Sequence, residues 1–356
     1  MAAKELQSVL HRVSADATPD LGDIEYLLGL QSEADLRLLF DFADRIRARY
    51  CGDGILMRAL VEFSSYCRNA CLYCGLSRQN TCLERYRLTT EQVMEAVGHI
   101  VDSNIRTVVL QSGEDDGLDA EWLSEIIRRI KRCFDMAVTL SVGERTPEEY
   151  KKWKQAGADR YLLKIETTDR ALYRSLHPQM SFDNRLDCLR TLKTLGYQVG
   201  CGNLVGLKGQ TLRSLAEDIL FFRQENFDMI GIGLFIPHEA TPLGREPAGD
   251  LNLTLKVLAI TRIVARDSHL PATTAVGSVG RYDARITALQ AGANVIMPNF
   301  TPQPYKKLYE IYPGKRCIDE AGTHCVGCMG ATVKAIKRSI SDSRGDSLKE
   351  THISAC

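Results

Sequence analysis

Eight short apolar runs, each followed by a helical pattern, constrain the fold of this chain more than any other feature of its sequence. The runs are 55–64, 107–113, 137–143, 160–166, 198–205, 229–235, 270–276 and 293–299. Apolar and rich in β-branched residues, they read as parallel strands buried on both faces. Thr90-Glu91-Gln92-Val93 and Thr146-Pro147-Glu148-Glu149 read as helix starts, the second with proline in its first turn. Ser181-Phe182-Asp183-Asn184 opens another helix, with Leu186, Leu189, Leu192 and Leu195 as its apolar stripe and Gly196 as its stop. This alternation predicts an α/β fold, a (β/α)8 TIM barrel rather than an open sheet. Residues 1–52 are expected to form an N-terminal helical extension below a barrel of residues 53–312, with 313–356 as a C-terminal extension.

Charge narrows the function. Lysine plus arginine and aspartate plus glutamate each number 45, so no basic excess points to a nucleic-acid partner. No apolar stretch approaches the roughly 20 residues that span a bilayer. The opening residues lack the apolar core of a secretory signal, so a cytoplasmic setting is expected. Twelve cysteines in such a setting point to metal or redox chemistry rather than disulfides.

Those cysteines fall into three kinds. Cys67, Cys71 and Cys74 form C-x3-C-x2-C directly after the first run, and Cys317, Cys325 and Cys328 form C-x7-C-x2-C near the end. Cys51, Cys82, Cys133, Cys188, Cys201 and Cys356 are scattered, and Cys133 and Cys188 lie in helical patterns that suit small buried residues. Three soft thiolates in one short loop suit an iron–sulfur cluster. A cubane held by three protein ligands leaves its fourth iron open. A structural zinc site would need a fourth ligand, and the nearest histidine, His99, falls inside a predicted helix. The first triplet also stands where barrel enzymes place their chemistry, at the C-terminal end of a strand.

Cys67, Cys71 and Cys74, with the aromatic Tyr73 beside the third, resemble the CX3CXΦC mark of the radical S-adenosylmethionine (SAM) superfamily. In that superfamily the open iron of a 4Fe-4S cluster chelates SAM, and one electron breaks a sulfur–carbon bond to give a 5′-deoxyadenosyl radical. Leu110-Gln111-Ser112-Gly113-Glu114, Asp159-Arg160-Tyr161-Leu162-Leu163, Phe235-Ile236-Pro237-His238 and Asn294-Val295-Ile296-Met297-Pro298-Asn299 are similar to the HydE maturases within it. Biotin synthase and methylornithine synthase are related. The chain departs from the family at Lys164-Ile165, Lys208, Leu234 and 279–285.

The resemblance implies roles. Tyr73, the Gln111-Ser112-Gly113-Glu114 turn, Glu166, Arg185 and Met229 would contact SAM. Lys164, Thr273, Thr274, Met297 and Tyr309 would face the substrate. Plainer readings stand beside these. The turn can be simply tight, Glu166 can be salt-bridged to Arg185 or Lys164, and Met229 can fill core. Tyr305, Tyr309 and Tyr312 can be one helix face, and His177 and His238 satisfied surface histidines. If the seventh strand is regular, only one of Thr273 and Thr274 faces the lumen. Cys317, Cys325 and Cys328 would hold a second iron–sulfur cluster, or with His324 a zinc ion.

The implied activity is reductive SAM cleavage in assembly of the diiron H-cluster of FeFe-hydrogenase, on a small organometallic, cysteine-bound iron carbonyl–cyanide substrate. Partner maturases, a scaffold protein and a ferredoxin-type reductant are implied, with neither nucleic acid nor membrane. A radical SAM mutase or sulfur-inserting enzyme is the alternative within enzymes. A non-catalytic iron–sulfur carrier is the alternative outside them.

Overall fold

The computed structural model describes residues 2–15, 17–280 and 282–350, so Arg281 and Cys356 lie outside it. Its strands are β1 (Gly54–Met57), β2 (Ala59–Ser64), β3 (Thr107–Ser112), β4 (Ala137–Ser141), β5 (Arg160–Leu162), β6 (Gln198–Val205), β7 (Met229–Leu234), β8 (Val295–Ile296) and β9 (Ser339–Ser341). The first apolar run is thus two strands, broken at Arg58. β2 through β7 form a six-stranded parallel sheet in sequence order, and β8, β1 and β9 form a second sheet.

The two sheets join edge to edge. Met229 bridges His269, Pro271 bridges Val295, and Leu60 bridges Asn299, all parallel. A path of parallel backbone pairings therefore runs from β2 to β7 and on through 269–271 and β8 back to β2, giving the architecture of a barrel. Its seventh position is not the strand expected at 270–276. Pro271 has no N–H to donate, and Thr273 is already the N-cap of a helix, Thr274–Ser278. The eighth is short for a similar reason, with Pro298 two residues beyond Ile296.

The helix starts fall as expected. Thr89 and Thr146 each make a capping box, Ser181 caps Phe182–Thr194, and that helix stops at Leu195 before left-handed Gly196. Three N-terminal helices, Ala2–Val13, Leu21–Leu28 and Glu33–Cys51, bury Leu6, Val9, Ile24, Leu27 and Leu39. They lie against the outer helices Leu212–Gln224 and Leu251–Val264 rather than below the barrel.

The floor comes instead from the C-terminal end. β9 pairs with β1, and the following residues run beneath the first residues of the strands. Arg160, which is fully buried, donates to the Thr107 hydroxyl at 3.1 Å, to the Arg344 carbonyl at 2.8 Å and to Asp346 at 2.7 Å. Arg58 donates to the Gly345 carbonyl, and His269 bonds the Asp346 carbonyl through Nε2. Ser347 bonds Gln198 and Asp228. The segment expected to be an appendage closes the base of the barrel. No described helix is long and apolar enough to cross a membrane.

Candidate active site at the barrel mouth

The cysteine loop leaves β2 at Ser64 and returns alongside it, Ser65 N–H donating to the Tyr86 carbonyl and Leu88 N–H to that of Phe63. Between those points it is fastened to four other parts of the chain. Arg68 N–H donates to the Glu114 carbonyl, Leu72 N–H to Leu176, Gly75 N–H to Ile311, and Leu243 N–H to Leu72. Arg85 gathers the carbonyls of Ser65, Leu76, Ser77 and Asn80 from inside the loop. Two glycines make the approach close enough. A Cβ on Gly113 would stand 2.2 Å from the Tyr66 carbonyl oxygen, and one on Gly75 would stand 2.0 Å from that of Glu310.

The three thiols are partly buried and feel one another. Burial pushes Cys71 up first and the charges of Cys74 and Cys67 push it further, while burial and then Cys67 raise Cys74 to about 12. Such thiols ionise readily only when a cation shares the site. Backbone N–H groups at Asn69 and Glu114 oppose the rise of the Cys67 thiol, and that of Leu76 the rise of Cys74, as suits thiolates of an iron–sulfur cluster.

No three His, Cys, Asp or Glu side chains among the described residues converge as the ligands of one metal ion would. His99, the zinc alternative's nearest histidine, is exposed on its helix. Three soft donors spread over one loop, with no fourth protein ligand, fit a cluster whose irons are separate corners and whose last corner is open.

Charged groups ring the loop from the C-terminal ends of neighbouring strands. Glu114, after β3, is buried; its carboxylate accepts from Arg68 at 2.8 Å and from Glu144 N–H at 2.7 Å. Its carbonyl and carboxylate both have protein partners, so the turn is braced as well as tight. Ser112 donates to the Gly113 carbonyl, and Gln111 reaches Tyr309 at 3.2 Å. Arg185 does not pair with Glu166. Its Nε donates to Glu144 at 2.6 Å and its Nη1 to the Lys164 carbonyl, leaving Nη2 as the part of the fork turned elsewhere. Burial works against the Arg185 charge, but the Glu144 carboxylate bonded to it holds the guanidinium protonated.

Glu166 pairs with Lys164, Oε2 to Nζ at 2.8 Å. It lies beyond the end of β5 on left-handed backbone, φ 64°, and its carbonyl and N–H bond β6 at Leu204 and Gly202. Asp218 steadies the next residues, accepting from Thr168 N–H at 2.6 Å and from Asn203 at 2.9 Å. Burial raises Asp218 to about 6 against these donors.

Several expected positions are corrected. Met229 is the first residue of β7, on the floor side, where Arg58 points at its sulfur, at the end of the strand opposite the mouth. Thr273 and Thr274 begin a helix, so strand alternation does not sort them, and the Thr273 hydroxyl bonds the Ile232 carbonyl at 3.2 Å. Met297 is half-buried just past β8. The tyrosines are no helix face. The helix there is only Gln303–Lys306, and Tyr309 is buried against Gln111 and Lys315. His177 and His238 are buried, not surface residues. His177 bonds Tyr73 at 2.9 Å, and His238 lies 3.5 Å from Glu310. Cys188 is buried as expected, but Cys133 is exposed.

Sequence reasoning missed Glu144, whose position just after β4 is the signal that finds it. It also missed the buried pair of Glu62 on β2 with Lys315, which holds the 309–315 segment against Asn299 and Thr301. In the second cysteine group, Cys325 is buried with the Cys317 thiol beside it, while Cys328 is exposed one turn further along Gly322–Ala335.

A family model described as the Radical SAM superfamily matches residues 61–222. The chain is 51% identical over 300 residues to the FeFe hydrogenase maturase subunit HydE of Thermotoga maritima, covering 84% of this chain and 86% of that one. It is 28% identical over 276 residues to 3-methylornithine synthase of Methanosarcina acetivorans, 77% of each chain. Among solved structures, that of a methylornithine synthase superposes with a TM-score of 0.84 over 95% of this chain and 98% of that one, at 26% identity. A structure of HydG, a maturase of FeFe-hydrogenase, shares the fold with a TM-score of 0.73 over 83% and 68% of the two chains, at 22% identity.

Proposed function

The chain belongs to the HydE family of radical SAM enzymes, and from that premise we propose that Cys67, Cys71 and Cys74 hold the 4Fe-4S cluster with which it cleaves SAM. When bound, the cluster supplies one electron to the SAM sulfonium, whose cleavage gives the 5′-deoxyadenosyl radical. The observation that carries this reading is the fastened cysteine loop at the strand ends, facing Glu144–Arg185 and Lys164–Glu166.

Each pair has a task there. Arg185, held charged by Glu144, turns Nη2 to the SAM carboxylate. Glu166, held by Lys164, accepts from the SAM amino or ribose groups. The backbone of Gln111 through Glu114 lines the same side. Lys164, Thr274, Met297 and Tyr309 are proposed around the substrate, with Tyr309 fixed by Gln111. The floor segment and the Glu62–Lys315 contact keep water from the radical, which otherwise abstracts hydrogen from almost any C–H bond.

The substrate proposed is a cysteine-bound iron carbonyl–cyanide complex, attacked at sulfur on the way to the diiron core. Another maturase would supply it, a scaffold protein would receive the product, and a ferredoxin-type donor would reduce the cluster in the cytoplasm. Cys317, Cys325 and Cys328 are proposed to hold a second iron–sulfur cluster.

The test supplies reduced, cluster-loaded protein with SAM and a synthetic cysteine-bound iron dicarbonyl cyanide. Mass spectrometry should find the adenosyl carbon bonded to sulfur. SAM cleavage without that adduct, together with rearrangement of an amino-acid substrate, would move the assignment to the mutase, which the methylornithine synthase likeness favours as second reading.

A further inference from the structure

We infer that His177 is a positioning residue for the SAM site, holding the Tyr73 ring in place from outside the cysteine loop; this rests on the radical SAM reading of that loop. His177 is 3% exposed. Its Nδ1 lies 2.9 Å from the Tyr173 carbonyl oxygen, which only accepts, so Nδ1 carries the proton and Nε2 of the neutral ring is an acceptor. The Tyr73 hydroxyl stands 2.9 Å from that Nε2 and donates to it. The rings meet edge to face, 5.5 Å between centroids, and the far side of His177 is packed on Tyr173 at 4.2 Å.

A histidine bonded only to its own turn would need no more than the Tyr173 carbonyl. Here the second nitrogen is aimed at one phenol 104 residues earlier in the chain, between two of the cluster thiols. The surroundings serve the same contact. Leu72, next to Tyr73, donates its N–H to Leu176, next to His177, at 3.0 Å. The Cys71 sulfur lies 3.9 Å from that of Met180, and Arg78 reaches Gln179 at 2.6 Å. Tyr73 packs on a small apolar cluster of Leu172, Leu176, Leu207 and Phe235, separate from the main core. Nothing in that cluster would accept from its hydroxyl, and a buried donor without a partner costs about 1–3 kcal/mol.

The hydrogen bond therefore chooses one ring orientation before SAM arrives, so the cost of ordering an aromatic wall is met in folding rather than in binding. His177 thus acts through Tyr73.

The test is a double-mutant cycle on cluster-loaded protein, with SAM affinity read by equilibrium dialysis and iron counted per chain. His177→Phe and Tyr73→Phe should each weaken SAM binding about tenfold with iron unchanged, and the double variant should be no weaker than either. His177→Gln, which keeps an acceptor, should recover most of the affinity. The inference is overturned if either single variant binds SAM within about twofold of wild type, or if the losses multiply to about a hundredfold. If His177→Phe loses iron, the glutamine variant decides: retained affinity upholds the role, and a tenfold loss with iron intact ends it. Wild-type protein that keeps its cluster yet binds no SAM overturns the family reading as well.

Discussion

The two cysteine groups have nearly the same content, three thiols with a C-x2-C pair, yet the fold treats them differently. Cys67, Cys71 and Cys74 sit in a loop tied to four separated parts of the chain and pressed against β3 by Gly113. Cys325 and Cys328 ride on one helix, with Cys317 brought beside Cys325 from the loop before it and Cys328 facing outward. The first arrangement is held on four sides by the chain's own backbone; the second leaves one thiol facing solvent. A catalytic cluster must hold SAM at a fixed angle to the substrate, so preorganisation belongs in the first group.

The largest contrast should appear in activity. Cys71→Ala should lower SAM cleavage by at least about 10³-fold, measured as 5′-deoxyadenosine, whereas Cys328→Ala should leave it within about twofold. Equal losses would erase the distinction between the groups.

The next effect concerns the charges around the first group. Glu144→Ala leaves the Arg185 guanidinium buried without its carboxylate, and a broken buried pair costs about 3–5 kcal/mol. Thermal unfolding should show that loss, and SAM affinity should fall with it. The corresponding cut near the second group, Lys307→Gln, removes an exposed ion pair with Asp319 and should cost no more than about 1 kcal/mol.

Acid should act on the first group's surroundings as well. Burial, then the charge of Arg185, lowers His177 to about 4. An unfolded histidine binds its proton near pH 6.5, so the unfolded state takes up more protons than the folded one between pH 6.5 and 4. Stability is complete above that window and falls as pH drops through it, by an amount on the order of 3 kcal/mol. Denaturant midpoints of wild type and His177→Gln at pH 7 and pH 5 check this, the variant losing less on acidification. The smallest effect is chemical. In metal-free protein, Cys328 should be alkylated several-fold faster than Cys67, Cys71 or Cys74, a difference peptide mass spectrometry resolves.

Much of the mouth was legible because its signals are local. The triplet spacing, the capping boxes at Thr89 and Thr146 and the apolar runs lie within a few residues of one another. What was misread depended on register and on distance along the chain. Met229 begins β7, as the run 229–235 already placed it, so its expected role at the mouth came from the resemblance and not from its position. Pro271 and Thr273 break a run whose composition still looks like a strand. Arg185 lies among carboxylates, but its partner, Glu144, is 41 residues away. The floor is the extreme case, since Arg160 and Asp346 are joined across 186 residues by geometry alone.

The central claim is that the chemistry belongs to the fastened triplet at the barrel mouth. Its most direct test is anaerobic. Protein loaded with iron and sulfide is reduced with dithionite and given SAM, and 5′-deoxyadenosine is counted for wild type, Cys71→Ala and Cys325→Ala. The account predicts cleavage in wild type and Cys325→Ala and none in Cys71→Ala. A full cubane cluster in wild-type protein with no cleavage, or cleavage that survives in Cys71→Ala and vanishes in Cys325→Ala, would contradict it.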